Sequence, residues 1–466
     1  MDTPSGTDPK PVSSHDDSLT KGPLLPALVR FGGPLVLGMV AHALFNLIDL
    51  FLVSRIPGVG TEAIVAVSWV SILQMVPMVL GNGIATAIVA LVATAYGEGK
   101  HSRCLQAISQ SLLLLSLLSV VTGIVGVGWS RELCGFFGLQ GVTLSLGHDY
   151  MWIMSAGAWT MFLILHTTSA LRGAGEGTWP MLILVGANGL NLILDMILIF
   201  GWGPIPPLGV AGAAWATVIA RGLGGVLGLA LLIRGIRGIR LNPGLFRPER
   251  KLLWKILKIS LPHSIQLLLR TAAYLVLIRI ASSFENLYLE SAFSIGIRLD
   301  MLAIFTAAGW GAAASTLVGQ NLGANNPQRA TQATWWIVLL SGVTMLLIGG
   351  SYLYWSEPLF AFFDPHPEVI GYGKTYMSYL SIAYLFIAIS LVLSHALNGA
   401  GNTITPMFLD AVLYLPLQTT LALELTRSQE PQGIWIAILL SNLILALAYI
   451  ASFLRGSWKH KKLWDH

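Results

Sequence analysis

The chain has 466 residues, 55% of them hydrophobic and only 11% charged, with a mean hydropathy of +0.71, whereas a soluble domain carries roughly 25% charged residues. That balance excludes a soluble globular fold and implies a polytopic membrane protein. The net charge of +5 calls for no nucleic-acid partner, because the excess Lys and Arg sit in links between apolar runs, where membrane orientation places them.

Residues 1–23, which include MDTPSGTDPKPVSSHDDSLTKG, hold no apolar block and read as a disordered cytoplasmic tail, not a cleavable leader. Twelve apolar runs follow, at about 28–54, 62–96, 103–129, 145–171, 176–202, 208–235, 254–281, 287–322, 328–355, 369–397, 402–426 and 432–456. Each is long enough for a bilayer core that requires roughly 20 residues. They lack the alternation of a membrane barrel, so the expected fold is all-α with twelve transmembrane helices. Pro77 offers the second run a place to kink.

Basic residues set the orientation. Lys100 and Arg103, the cluster from Arg234 to Lys258, Arg329, and Arg455 to Lys462 fall on one side of a twelve-span arrangement, while Glu285, Glu290, Glu357, Asp364 and Glu368 fall on the other. Both termini are therefore expected in the cytoplasm. Cys104 and Cys134 lie near opposite faces in this topology, which argues against a disulfide or thiol chemistry.

The chain also repeats itself. ALRGAGEGTWPM (170–181) recurs as ALNGAGNTITPM (396–407), with seven of twelve positions identical at an offset of 226. The same offset lays YGEGKHSRCLQA (96–107) over LGANNPQRATQA (322–333). Two distant matches at one offset indicate a duplicated six-helix unit. Its parts are an N-lobe at 24–235 (helices 1–6), a basic linker at 236–253, a C-lobe at 254–456 (helices 7–12) and a basic cytoplasmic tail at 457–466. Six is even, so the repeats are parallel, an arrangement that places a substrate site near the midplane between the halves.

Two of these spans carry polar stripes. The first spaces His42, Asn46 and Asp49 at i, i+4, i+7, and the fifth spaces Asn188, Asn191 and Asp195 at i, i+3, i+7. Each set lies within about 60° of arc and ends in a carboxylate about halfway through its helix. Intramembrane carboxylates mark ion or proton paths, although an Asp can also serve only to fix helix packing. A neutral Asp could bond to Asn191, and an ionised one would seek Na⁺ or a cationic group, so Na⁺ could sit at Asp49, Asn191 and Asp195. The second half has no acid at either depth, which places ion coupling in the amino-terminal half.

Gln266, Arg270 and Arg298 are candidates for a substrate cavity, with Arg270 able instead to pair with an acid. Met39, Met75 and Met161 could soften a promiscuous pocket. His166 and His395, near helix ends, read as packing or loop residues. The glycines of the repeated GAG link suit a tight turn and not a phosphate loop, since no Gly-Lys-Ser/Thr follows. No HExxH or nucleophile elbow supports an intramembrane enzyme, and no cofactor is expected.

The series LRGAGEGTWP, NLILDMILIF and GVAGAAWAT (209–217) resembles multidrug and toxic compound extrusion (MATE) transporters, over about residues 24 to 456. The resemblance implies V-shaped six-helix lobes that export amphipathic, often cationic, compounds in exchange for H⁺ or Na⁺. It implies an amino-lobe cation site of Asp49, Asn191, Asp195 and Thr217. The acids of the NorM-like branch in spans seven and ten are missing, so the chain looks more DinF-like. The resulting expectation is a monomeric inner-membrane antiporter whose partners are small amphipathic molecules and the bilayer. The rivals are a lipid-linked oligosaccharide flippase, with Arg270 and Arg298 clamping pyrophosphate, and a channel or scaffold.

Overall fold

A computed structural model of the chain describes residues 19–56, 58–241, 247–427 and 431–464. Among these the protein is helical, with two isolated β-bridges, Trp202 to Ile205 and Ile236 to Ile239. The first half contains α1 (Leu24–Ser54), α2 (Gly60–Gly97), α3 (His101–Gly128), α4 (Ser130–Phe136), α5 (Gly141–Ala156), α6 (Ala158–Gly173), α7 (Thr178–Phe200) and α8 (Val210–Arg234). The second contains α9 (Arg250–Ser282), α10 (Leu287–Gly323), α11 (Pro327–Tyr354), α12 (Ser356–Phe363), α13 (Pro367–Gly399), α14 (Ile404–Leu409), a π-helical turn (Asp410–Tyr414), α15 (Leu415–Arg427) and α16 (Gln432–Arg455).

The duplication read from two short motifs extends to whole helices. Shifted by 226, α3 coincides with α11, and α5 with α6 spans α13. Even the turn geometry repeats. Gly175 and its counterpart Gly401 have φ of +81° and +73°, the left-handed conformation a glycine adopts without strain. Gly99 (φ +72°) is matched by Asn325 (φ +56°), asparagine being the side chain that best tolerates that region.

Eleven helices among the described residues are long and apolar enough to cross a membrane. The twelfth expected span, the fourth, is divided at Gly157 into α5 and α6. Thr160 Oγ1 donates to the Gly157 carbonyl at 2.8 Å, and a Cβ at Gly157 would strike Val218. The break therefore lies at a close contact with α8.

The lobes meet at the C-terminal ends of α2 and α10. A Cβ at Gly97 would fall on the Gln320 carbonyl, and one at its repeat mate Gly323 on the Thr94 carbonyl. Only glycine permits this symmetric approach. The first helix of each half also packs into the other half. Leu28, Phe31 and Leu35 of α1 join the core around Trp310 and Leu317, while Leu252, Ile256 and Ile259 of α9 join the core of α2, α3 and α6. The lobe boundaries read from sequence thus assign each helix by chain order, whereas burial divides α1 and α9 between lobes.

The segments expected to be solvated are partly docked. Most of the 1–23 tail and residues 242–246 of the linker lie outside the described residues. Leu19, however, is buried, with its carbonyl accepting from Asn321 Nδ2 at 3.2 Å. Helix α9 starts at Arg250, inside the expected linker, and the Gln110 side chain holds the approach through Arg247 O at 2.8 Å and Glu249 N at 2.9 Å. In the basic C-terminal stretch Trp458, Leu463 and Trp464 are buried, and Trp464 Nε1 donates to Leu91 O at 3.2 Å. Its tryptophans, apolar bodies with one donor each, outweigh its lysines.

Candidate functional site: a carboxylate pair and an inter-lobe cavity

Small residues bring the polar stripes together. Gly38 of α1 sits against the Met181 backbone of α7, and Gly212 of α8 against the Leu198 carbonyl of α7. The consequence is a cluster at the end of α1, α7 and α8. Asp49 and Asp195 each lie five residues before the ends of their helices, Ser54 and Phe200. The expected mid-helix placement is corrected, and both acids lie toward the side opposite the basic links.

The two carboxyl groups are within hydrogen-bonding reach of each other. Asp195 is fully buried, and neither of its oxygens, nor Asp49 Oδ1, meets a donor among the described residues. Asn191 Nδ2 reaches Thr217 Oγ1 at 3.5 Å, and that hydroxyl donates to the Ala213 carbonyl at 2.9 Å. Asn188 Nδ2 and His42 Nδ1 are 3.2 Å apart, and the His42 ring meets Phe305 of α10 edge-on at 5.7 Å. Asn46 is exposed. At 100° per residue it stands about 60° from Asp49, at the edge of the stripe. No group of three or more His, Cys, Asp or Glu residues suited to a metal ion occurs among the described residues.

Arg221 and Tyr150, which the stripes did not flag, complete this cluster. Arg221 of α8 is within electrostatic reach of Asp49, His42 and Tyr150. The signal was available: a lone Arg inside the apolar run ATVIARGLGG is expensive in a membrane and therefore informative.

The carboxy lobe has acids of another kind. Asp410, at the start of the π-helical turn, accepts from Arg270 Nε at 2.6 Å, Gln266 Nε2 at 2.9 Å and Tyr449 Oη at 2.9 Å. Asp300 accepts from Tyr376 Oη at 2.5 Å and Tyr384 Oη at 2.6 Å. Both acids have all the donors they need.

A cavity of about 530 Å³ lies between the lobes, in the size range of small-molecule sites. Met39, Met75 and Arg270 line it; Gln266 stands behind Arg270, bonded to Asp410 and to Ser394. Met161 packs instead against the amino-lobe core. Arg298 is exposed outside the lining, because it is two residues, about 200° of helix, from buried Asp300. Arg270 and Arg298 therefore do not share this cavity. His395, expected as a packing or loop residue, lines it, as does Arg172 from the repeated turn.

The MatE family model matches residues 34–197 and 262–423, one block in each half. The chain is 26% identical to a FAD transporter of Shewanella oneidensis over 92% of this chain and 94% of that one. It is 24% identical to the probable multidrug resistance protein YpnP of Bacillus subtilis, over 95% and 98%. A solved structure described as the outward-facing conformation of a multidrug resistance MATE family transporter superposes with a TM-score of 0.89 at 23% identity, over 97% and 100% of the two chains. The last likeness concerns the fold; the family match covers most of both lobes. The chain belongs to the MatE family, the multidrug and toxic compound extrusion transporters.

Proposed function

We propose that this transporter exports amphipathic organic compounds across the cytoplasmic membrane in exchange for H⁺, with Asp49 and Asp195 as the coupling groups and both termini in the cytoplasm. The observation that carries the reading is the facing carboxyl pair without a protein donor. Two adjacent ionised carboxylates in a membrane repel each other and lose their hydration, so the pair needs a proton or a cation between them. Loading and unloading that position changes the charge of the α1, α7, α8 cluster by one unit. Each charge moved inward gains about 2.3 kcal/mol per 100 mV of membrane potential.

The ligand set favours H⁺ over Na⁺. The Thr217 hydroxyl donates to a backbone carbonyl and faces Asn191 Nδ2 at 3.5 Å, which leaves it one lone pair for a cation, whereas a proton requires no ligand beyond the two carboxyls. Helix α1 supplies a route to the cargo, since it packs on α7 and on α10, and His42 touches Phe305 in the cavity wall. Coupling requires that proton and cargo favour different arrangements of the lobes. The relatives' names, for FAD and for drugs, support an aromatic amphipathic cargo. The missing acids in spans seven and ten support the DinF-like branch.

The test is efflux of an amphipathic dye from cells and proteoliposomes, with the pH and Na⁺ gradients collapsed separately. Collapse of the pH gradient should abolish export, and Asp49→Asn and Asp195→Asn should each do the same at matched expression. Full activity in both variants would end the coupling proposal. Dependence on Na⁺ alone would replace H⁺, and ohmic conductance would point to a channel.

A further inference from the structure

The inter-lobe cavity has a sign. Its ionisable lining consists of two guanidinium side chains, Arg172 and Arg270, and two imidazoles, His263 and His395, with the phenols of Tyr274 and Tyr414; no carboxylate borders it among the described residues. Asp49 and Asp195 are not in its wall. Arg270 is paired with Asp410, but the pair shows the cavity one end only: the Arg270 side chain is 19% exposed and the Asp410 side chain 0%.

Arg172 is not paired with an acid among the described residues. Its Nη2 donates to Ser169 Oγ at 2.8 Å, and its buried Nε meets no partner among the described residues. The nearest acid in sequence, Glu176, is taken by Arg237 at 3.1 Å. His395 lies within electrostatic reach of both Arg172 and Arg270, with Nδ1 donating to the Leu391 carbonyl at 2.8 Å. A sequestered guanidinium without a counter-charge is costly, and an anionic group entering the cavity would offset that cost with charge-assisted hydrogen bonds. Aromatic surface is at hand, since the Arg270 guanidinium lies over the Tyr414 ring at 5.5 Å and Phe305 is in the same wall.

We infer that the cargo is an amphipathic organic anion, an aromatic body bearing a carboxylate, sulfonate or phosphate, whose acidic group is held between Arg172 and Arg270. The inference rests on the export reading above and names its substrate class, opposite in charge to the cationic compounds that the family resemblance implies. It also gives the membrane potential a larger part. An anion leaving and a proton entering both carry positive charge inward, so their exchange is electrogenic, whereas exchange of a monovalent cation for a proton moves no net charge.

Fluorescein and rhodamine 123 test this directly, because they share a xanthene ring and carry opposite charge at neutral pH. Binding of each to the purified full chain in detergent, followed by anisotropy, reads charge preference with no gradient present. Fluorescein should bind at least tenfold more tightly. Arg172→Gln should weaken it about tenfold or more without a matching loss for rhodamine 123, and Arg172→Lys, which keeps the charge, should recover most of it. Tighter or equal binding of rhodamine 123, binding of neither dye, or unchanged fluorescein binding in Arg172→Gln overturns the inference. Proteoliposomes then separate it from coupling: fluorescein bound but unmoved by any imposed gradient would sink the export reading alone. Rhodamine 123 preferred and driven by a pH gradient would sink this inference alone.

Discussion

The two lobes descend from one six-helix unit yet treat their buried acids oppositely. In the amino lobe Asp49 and Asp195 face each other with almost no protein donor between them. In the carboxy lobe Asp410 has Arg270, Gln266 and Tyr449, and Asp300 has two tyrosine hydroxyls. A satisfied acid holds helices together and gains nothing from binding an ion. An acid without donors carries a cost that a bound proton or cation can relieve, beside what Arg221 offsets at Asp49. The contrast predicts a division of labour, with coupling in one lobe and rigidity in the other.

The sharpest way to break that contrast is to neutralise one acid from each lobe. Asp195→Asn should lower gradient-driven export by about a hundredfold or more, the scale of loss when an essential proton carrier is removed. It should leave thermal unfolding in detergent unchanged or slightly higher, because an uncompensated buried carboxylate has gone. Asp300→Asn should do the reverse, lowering the unfolding temperature while gradient dependence persists. Loss of coupling in Asp300→Asn with normal stability would put a second ion site in the carboxy lobe.

The Arg270 and Asp410 pair comes next in size. Removing either partner strands the other, and Asp410→Asn or Arg270→Gln should each cost about 3 kcal/mol of stability. The double variant should recover a large part, since it leaves no orphaned charge. A double variant no more stable than the singles would mean that the pair does more than balance its own burial. A smaller step is Tyr384→Phe, which removes one of two donors to Asp300 and should cost about 1.5 to 3 kcal/mol, the range for a hydrogen bond to a charged group.

The same contrast was only half legible in the sequence. Asp49 and Asp195 stand out because a helix of period 3.6 aligns them with His42 and Asn188, and both sit in otherwise apolar runs. Their meeting across α1 and α7 depends on Gly38 at Met181, a contact between helices that no local pattern encodes. Arg270 reads in the sequence as a cavity residue or the partner of an acid, but Asp410 is 140 residues away, so no local pattern names which acid. The duplication was legible because its turns require glycine or asparagine at the same left-handed positions, and those requirements survive divergence. The break at Gly157 was not, because it lies against Val218 on another helix, a neighbour that no local pattern shows.

The smallest expected effect decides most about the coupling ion. Thr217 enters the site by family resemblance, yet its hydroxyl donates to the Ala213 carbonyl at 2.9 Å, and Asn191 reaches it only at 3.5 Å, the outer limit of a hydrogen bond. If the pair carries a proton, Thr217→Val removes a marginal contact, and efflux should change by no more than about twofold, roughly 0.4 kcal/mol, on the scale where tenfold is 1.36 kcal/mol. If the ion is Na⁺, the hydroxyl oxygen is one of few neutral ligands available, and its loss should raise the half-saturating Na⁺ concentration tenfold or more. A variant that behaves like Asp195→Asn would therefore turn the amino-lobe cluster from a shared-proton pair into a sodium site.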